Sequence, residues 1–146
     1  MMQHLHSLDD LHLQNAWVTI GTFDGVHRAH QAIIGRLVTL AHAAHAPAVV
    51  VTFHPHPVAV LRNIDTPYYL SLPDERAALL GNLGIDAVFT LPFDQQMAQL
   101  TAEEFMQSLK AALGISSLWV GHDFALGRNR SGDIPTLRKL GEQLNY

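Results

Sequence analysis

The sequence predicts a doubly wound α/β domain, a parallel sheet with helices on both faces, and three observations carry that expectation. Short apolar, β-rich runs recur at residues 18–20, 48–53, 86–91 and 117–120. Stretches with apolar residues at helical spacing separate them. The run at 48–53, Ala-Val-Val-Val-Thr-Phe, is apolar almost throughout rather than at alternate positions, as in a parallel strand covered on both faces. Strands alternating with helices give βαβ units, and these build a single doubly wound sheet.

Each element has its own reason. Residues 1–16 read as a lead-in strand or loop, with His4, His6 and His12 at the surface. A strand at 18–20 meets Gly21 and Gly25, and a helix follows from Arg28 to His45, with Ile33, Ile34, Leu37, Val38 and Ala41 at helical spacing. It is expected to end near Ala46 and Pro47, because proline stops a helix. The prolines in His-Pro-His-Pro at 54–57 place that segment outside regular structure, as a rigid loop after the strand. After a turn-rich connector at 67–72, Pro-Asp-Glu-Arg at 73–76 starts a helix that stops at Gly84. Thr101 and Glu104 have capping-box spacing ahead of Phe105, Leu109 and Leu113, and Gly114 closes that helix. A glycine- and charge-bearing loop at 121–132 precedes a last helix at 134–144.

Composition narrows the function. The chain has 146 residues, 48% of them hydrophobic, which suffices for one domain with a real core. Its formal charge of -4 provides no broad basic field for nucleic acid or an anionic membrane, so neither partner is expected. No apolar run approaches membrane-spanning length, and the first ten residues are unlike a signal peptide. With no cysteine there are no disulfides or thiolate metal sites, and the ten histidines are scattered without zinc-ligand spacing. The expectation is a soluble cytoplasmic domain.

The chemistry centres on residues 18–31, Val-Thr-Ile-Gly-Thr-Phe-Asp-Gly-Val-His-Arg-Ala-His-Gln. A strand, a glycine-containing turn and a helix let the backbone approach a phosphate chain, and the helix N-terminus favours the anion. His27 and His30 are three apart where the helix begins, so both imidazoles fall on one face and can donate to one bound group. Phosphate transfer needs such donors where negative charge grows, together with alignment.

This stretch resembles the nucleotidylyltransferase signature, a pair of histidines one helical turn apart after the first strand. Gly-Thr-Phe-Asp-Gly-Val-His at 21–27, with His30 and Gln31, resembles more specifically the FAD synthetase (FMN adenylyltransferase) module of bacterial bifunctional riboflavin kinase/FAD synthetases. The resemblance implies a Rossmann-like sheet of the nucleotidylyltransferase type and transfer of AMP from ATP, with Mg²⁺, to FMN. The products would be FAD and pyrophosphate. It implies that His27 and His30 steady the transition state and that Gly21, Thr22, Phe23, Asp24 and Gly25 line the ATP pocket, the glycines letting the nucleotide lie against the backbone. The family normally has glycine where this chain has Ala29, a better helix former by roughly 1 kcal/mol whose methyl crowds the triphosphate.

Two further segments match in order. Thr-Phe-His-Pro-His-Pro at 52–57 fits the family's Thr-Phe-x-Pro-His-Pro and implies nucleotide or flavin contacts from Phe53, Pro55 and His56; His54 holds the variable place. Gly-His-Asp-Phe-Ala-Leu-Gly at 121–127 continues to Arg128 and Arg130. It implies Asp123 as an oxygen partner of Mg²⁺, and the arginines as contacts to the phosphate of FMN or ATP. The match spans about residues 17–140. Family members continue with another strand, a Ser/Thr-rich segment whose arginine completes the phosphate site, and usually a riboflavin kinase domain. The expectation is therefore a C-terminally truncated single domain over 1–146, either complete as it stands or a piece of the bifunctional enzyme. Two rival readings remain: a non-catalytic ATP- or flavin-binding fragment, and a nucleotidyltransferase for another phosphorylated acceptor, such as phosphopantetheine or glycerol phosphate.

Overall fold

β-Branched and apolar residues that recur between helices pair edge to edge because a fully buried strand must satisfy its backbone on both sides. In the computed structural model this yields one five-stranded sheet, all neighbours parallel, in the order β1-β4-β3-β2-β5. The structure describes residues 2–21, 23, 28–54, 73–121, 127 and 132–146. The strands are β1 (Gln3–Leu5), β2 (Trp17–Ile20), β3 (Ala48–His54), β4 (Ala87–Pro92) and β5 (Ser117–Trp119). The helices are α1 (Arg28–Ala43), α2 (Pro73–Asn82), the short α3 (Gln95–Ala98), α4 (Ala102–Leu113) and α5 (Ile134–Leu144).

Strand alternation sends successive side chains to opposite faces and creates two cores. Val18, Ile20, Val49, Val51, Phe89 and Leu91 pack with Phe105, Met106 and Leu109 of α4 and Leu137 and Leu140 of α5. Val50 and Val88 face the other way, with Ile34 and Ala41 of α1 and Ala77 and Leu80 of α2. Helices cover both faces, as the sequence predicts, and β3 has no exposure from Ala48 to Thr52.

Several boundaries differ from the sequence reading. α1 ends at Ala43, ahead of His45, and Pro47 is not its terminator. His45 takes a left-handed conformation (φ 56°), and the Ala46 amide donates to the Ala41 carbonyl at 2.8 Å. That bond closes the helix by a Schellman-type turn. His54 belongs to β3 rather than to a loop: it pairs with Pro92, and its carbonyl accepts from the Phe93 amide at 3.2 Å. β4 runs one residue later than expected, and β5 stops one residue sooner. The lead-in is a strand, β1, and His4 on it is not a surface residue, its side chain being only 15% exposed. α3 was not anticipated; Asp94 caps it by accepting from the Met97 amide at 2.8 Å.

Other expectations hold. Thr101 and Glu104 form a reciprocal capping box on α4, with bonds of 3.1 and 3.0 Å. Gly114 ends that helix at φ 55°, where a side chain would also come within 2.9 Å of the Gln14 Cα. α5 has the predicted bounds, with Asp133 as its N-cap and proline in the first turn.

Candidate functional site

The chain leaves β2, steps through β3 to β4, and then returns to the other side of β2 for β5. In an open α/β sheet, ligands bind beyond the C-terminal strand ends where the order reverses, which here is between β2 and β5. Thr19 pairs with Trp119 at that junction, and two residues farther along each strand comes a glycine, Gly21 and Gly121. The topology thus brings the C-terminal ends of β2 and β5 to one place, although about a hundred residues separate them in sequence.

Of the residues singled out in the sequence, Gly21, Phe23, His30 and Phe53 lie among those described. Thr22, Asp24, Gly25, His27, Pro55, His56, Asp123, Arg128 and Arg130 lie outside them.

Gly21 finishes β2, its amide donating to the Val51 carbonyl at 3.1 Å. Phe23 has a left-handed backbone (φ 51°) and a ring that is 6% exposed, in the same core cluster as Ile34 and Val50. Left-handed geometry costs a non-glycine residue about 1–2 kcal/mol, whereas burying a phenylalanine side chain contributes about 1.5–3 kcal/mol. Burial holds the turn. The ring folds back over Gly21 so closely that a Cβ there would stand 2.9 Å from the ring's edge. Its other neighbour is the His30 imidazole, which meets it edge-on at 5.0 Å between centroids and 72° between planes. The Phe23 ring therefore touches both Gly21 and the His30 imidazole.

His30 lies in the first turn of α1, which carries no acidic side chain. The first turns of α2 and α4 each carry two acids, Asp74 with Glu75 and Glu103 with Glu104. Acids there offset the positive end of a helix dipole. At α1 that end is left uncompensated by its own first turn, which suits an anionic ligand.

Phe53 points to the opposite face, toward α4. It meets Phe93 edge-on at 5.6 Å and Phe105 at 5.9 Å, and it is half-buried. Its neighbour Thr52 shares the Phe23 face, where the Arg76 guanidinium donates to the Thr52 hydroxyl at 3.4 Å. Arg76 is 1% exposed, which is rare for arginine. The sequence reading used Pro-Asp-Glu-Arg only as a helix start and missed it; the signal available was a cation placed where α2 faces the sheet. A cavity of about 520 Å³ opens on the α4 side near His6, Asp9, His12, Pro92, Met97 and Ser108, and among the described residues Gly21, Phe23, His30 and Phe53 do not line it.

A family model described as FAD synthetase matches residues 9–146. The chain belongs to the FAD synthetase family. It is 32% identical over 147 residues to the bifunctional riboflavin kinase/FMN adenylyltransferase of Escherichia coli strain K12, covering 100% of this chain and 47% of that protein. Against the protein of the same description from Pseudomonas fluorescens it is 39% identical over 142 residues, covering 97% of this chain and 45% of that one. The chain thus spans about half the length of these curated relatives. A crystal structure described as a macrolide-efflux protein from Streptococcus pneumoniae superposes with a TM-score of 0.78 at 26% identity, over 95% of this chain and 46% of that chain. That last likeness concerns the fold. Among the described residues no helix is long and apolar enough to cross a membrane.

Proposed function

We propose that this chain is a single FMN adenylyltransferase domain, spanning 1–146, which transfers AMP from ATP to FMN in the cytoplasm. The observation that carries the reading is the edge contact of Phe23 with His30, close to the end of β2 at the switch point of the sheet, in a chain of the FAD synthetase family. A phosphate oxygen of FMN attacks the α-phosphorus of ATP. The bond from that phosphorus to the oxygen bridging the β-phosphate breaks, and pyrophosphate leaves with the electron pair. Imidazoles at His27 and His30 donate to the phosphate oxygens as charge builds, and the amide end of α1 adds its dipole. Neither histidine forms a covalent bond.

The loop after β2, with Gly21, Thr22, Phe23, Asp24 and Gly25, holds the ATP phosphates. Phe53 near the end of β3, with Pro55 and His56 after it in sequence, borders the nucleotide and flavin. Arg128 and Arg130 contact phosphate. Asp123 would hold Mg²⁺, which when bound would neutralise charge on the triphosphate. One carboxylate plus phosphate oxygens is a donor set that suits this hard cation. Were the chain part of a bifunctional protein like those relatives, a riboflavin kinase domain there would supply FMN.

A radiolabel at the α-phosphorus of ATP tests the acceptor. Label entering FAD when FMN is offered, and no labelled product with phosphopantetheine or glycerol phosphate, supports the reading. Label transfer to either alternative acceptor in preference to FMN removes it.

A further inference from the structure

The edge strand β1 puts two histidines beside the start of α2. His4 Nδ1 stands 3.2 Å from Asp74 Oδ1, and His4 Nε2 stands 2.7 Å from Thr90 Oγ1 on β4. The His6 ring lies 4.6 Å from the His4 ring, centroid to centroid. One ligand atom from each of His4, His6 and Asp74 falls within 4.8 Å of the others. A tetrahedral ion with bonds of about 2.0–2.2 Å keeps its ligand atoms roughly 3.3 Å apart. The His4–Asp74 pair already has that spacing, and the exposed His6 side chain can turn through the remaining distance.

We propose that His4, His6 and Asp74 form a three-ligand site for Zn²⁺ or a similar borderline divalent ion, with water in the fourth position. Two imidazoles and one carboxylate favour such an ion over Mg²⁺. Thr90 separates this arrangement from an ordinary surface ion pair. Without metal, Nδ1–H of a neutral His4 donates to Asp74 while Nε2 accepts from the Thr90 hydroxyl. With metal, the proton moves to Nε2 and donates to the same hydroxyl oxygen, leaving the Nδ1 lone pair for the ion. A hydroxyl serves in either sense, and ligand histidines characteristically donate their second nitrogen to an oxygen.

The site is not the nucleotide's. β4 and β3 stand between β1 and β2, roughly 14 Å at sheet spacing. An ion there would pin a three-residue edge strand to the first turn of α2. Its ligands come from positions seventy residues apart, which is why no zinc spacing is visible in the sequence.

The test titrates Zn²⁺ alone into chelator-stripped chain by calorimetry near neutral pH, with Co²⁺ absorption reporting tetrahedral geometry. The expected result is one saturable Zn²⁺ per chain. His6→Asn and Asp74→Asn, both at exposed positions and checked by circular dichroism, each weaken binding about tenfold or more, and Thr90→Val weakens it about tenfold. His45→Asn, a control histidine on the surface, leaves it unchanged. Zn²⁺ binding that is absent, or equally tight in His6→Asn and Thr90→Val, overturns the proposal.

Discussion

Substituting Gly21 by alanine tests whether the Phe23 ring sets the geometry of the turn. The new methyl would lie 2.9 Å from Phe23 Cε2 and 3.1 Å from Cζ, both inside normal contact. The ring has little room to yield, being 6% exposed and in contact with the His30 imidazole. Overpacking of this kind costs about 1–3 kcal/mol. Phe23→Leu removes the colliding atoms and leaves a smaller side chain, at roughly 1–2 kcal/mol for lost burial. If the clash with the ring is the whole effect of the methyl, the two changes cannot add. The double variant should be about 1 kcal/mol or more stabler than the sum of the singles predicts, a coupling typical of residues in contact. Urea denaturation of the four proteins measures it. Turnover should follow the same pattern, falling in Gly21→Ala as His30 is displaced. Additive stabilities would refute the argument, because the methyl would then be colliding with something else.

Other perturbations have equally definite outcomes. Thr101→Ala removes one arm of the α4 capping box and should cost about 1 kcal/mol by urea midpoint, whereas Gly114→Ala should cost more, because it combines a left-handed backbone with a collision against the Gln14 Cα. Leu109→Ala, at a position with no exposure, should cost about 2–5 kcal/mol in the same assay. Asp133 caps α5, and hydrogen bonds from the Thr136 side chain and amide hold its carboxyl below the ordinary aspartate range. The unfolded chain therefore binds the proton more tightly, so this contribution is present above the ordinary aspartate pKa and is lost as pH falls through the folded value. Denaturation midpoints between about pH 5 and about pH 2 should fall less steeply in Asp133→Asn than in the parent.

Local signals were legible where they act locally. α5 was readable to the residue because Asp133, Pro135 and the stop at Asn145 are all punctuation within the helix itself. The capping box of α4 is likewise written in four consecutive positions. Strand ends were less so, since pairing decides them: His54 joins β3 because it pairs with Pro92, and Phe93, just past the end of β4, donates to it. β1 has three residues, and its partner β4 lies more than eighty positions away, so only the fold makes it a strand. The same distance concealed His4, whose contacts to Thr90 and Asp74 arise through the sheet.

The site divides the same way. The strand and the helix that flank Gly21 were readable, because apolar runs and helical spacing mark them; their place at the switch point of the sheet was not, because strand order is set by pairing. That Phe23 would fold back over Gly21 was not, since its left-handed backbone is maintained by burial among side chains of α1 and β3. Arg76 reads as an ordinary first-turn residue until its helix is laid on the sheet beside Thr52.

The most direct measurement of the central claim is product analysis after incubating the chain with FMN, ATP and Mg²⁺, beside a folded His27→Ala, His30→Ala double variant. The account predicts FAD and pyrophosphate in equal amounts from the chain and none from the variant. FAD at the same rate from both, or neither turnover nor binding of ATP and FMN by the chain, would contradict it.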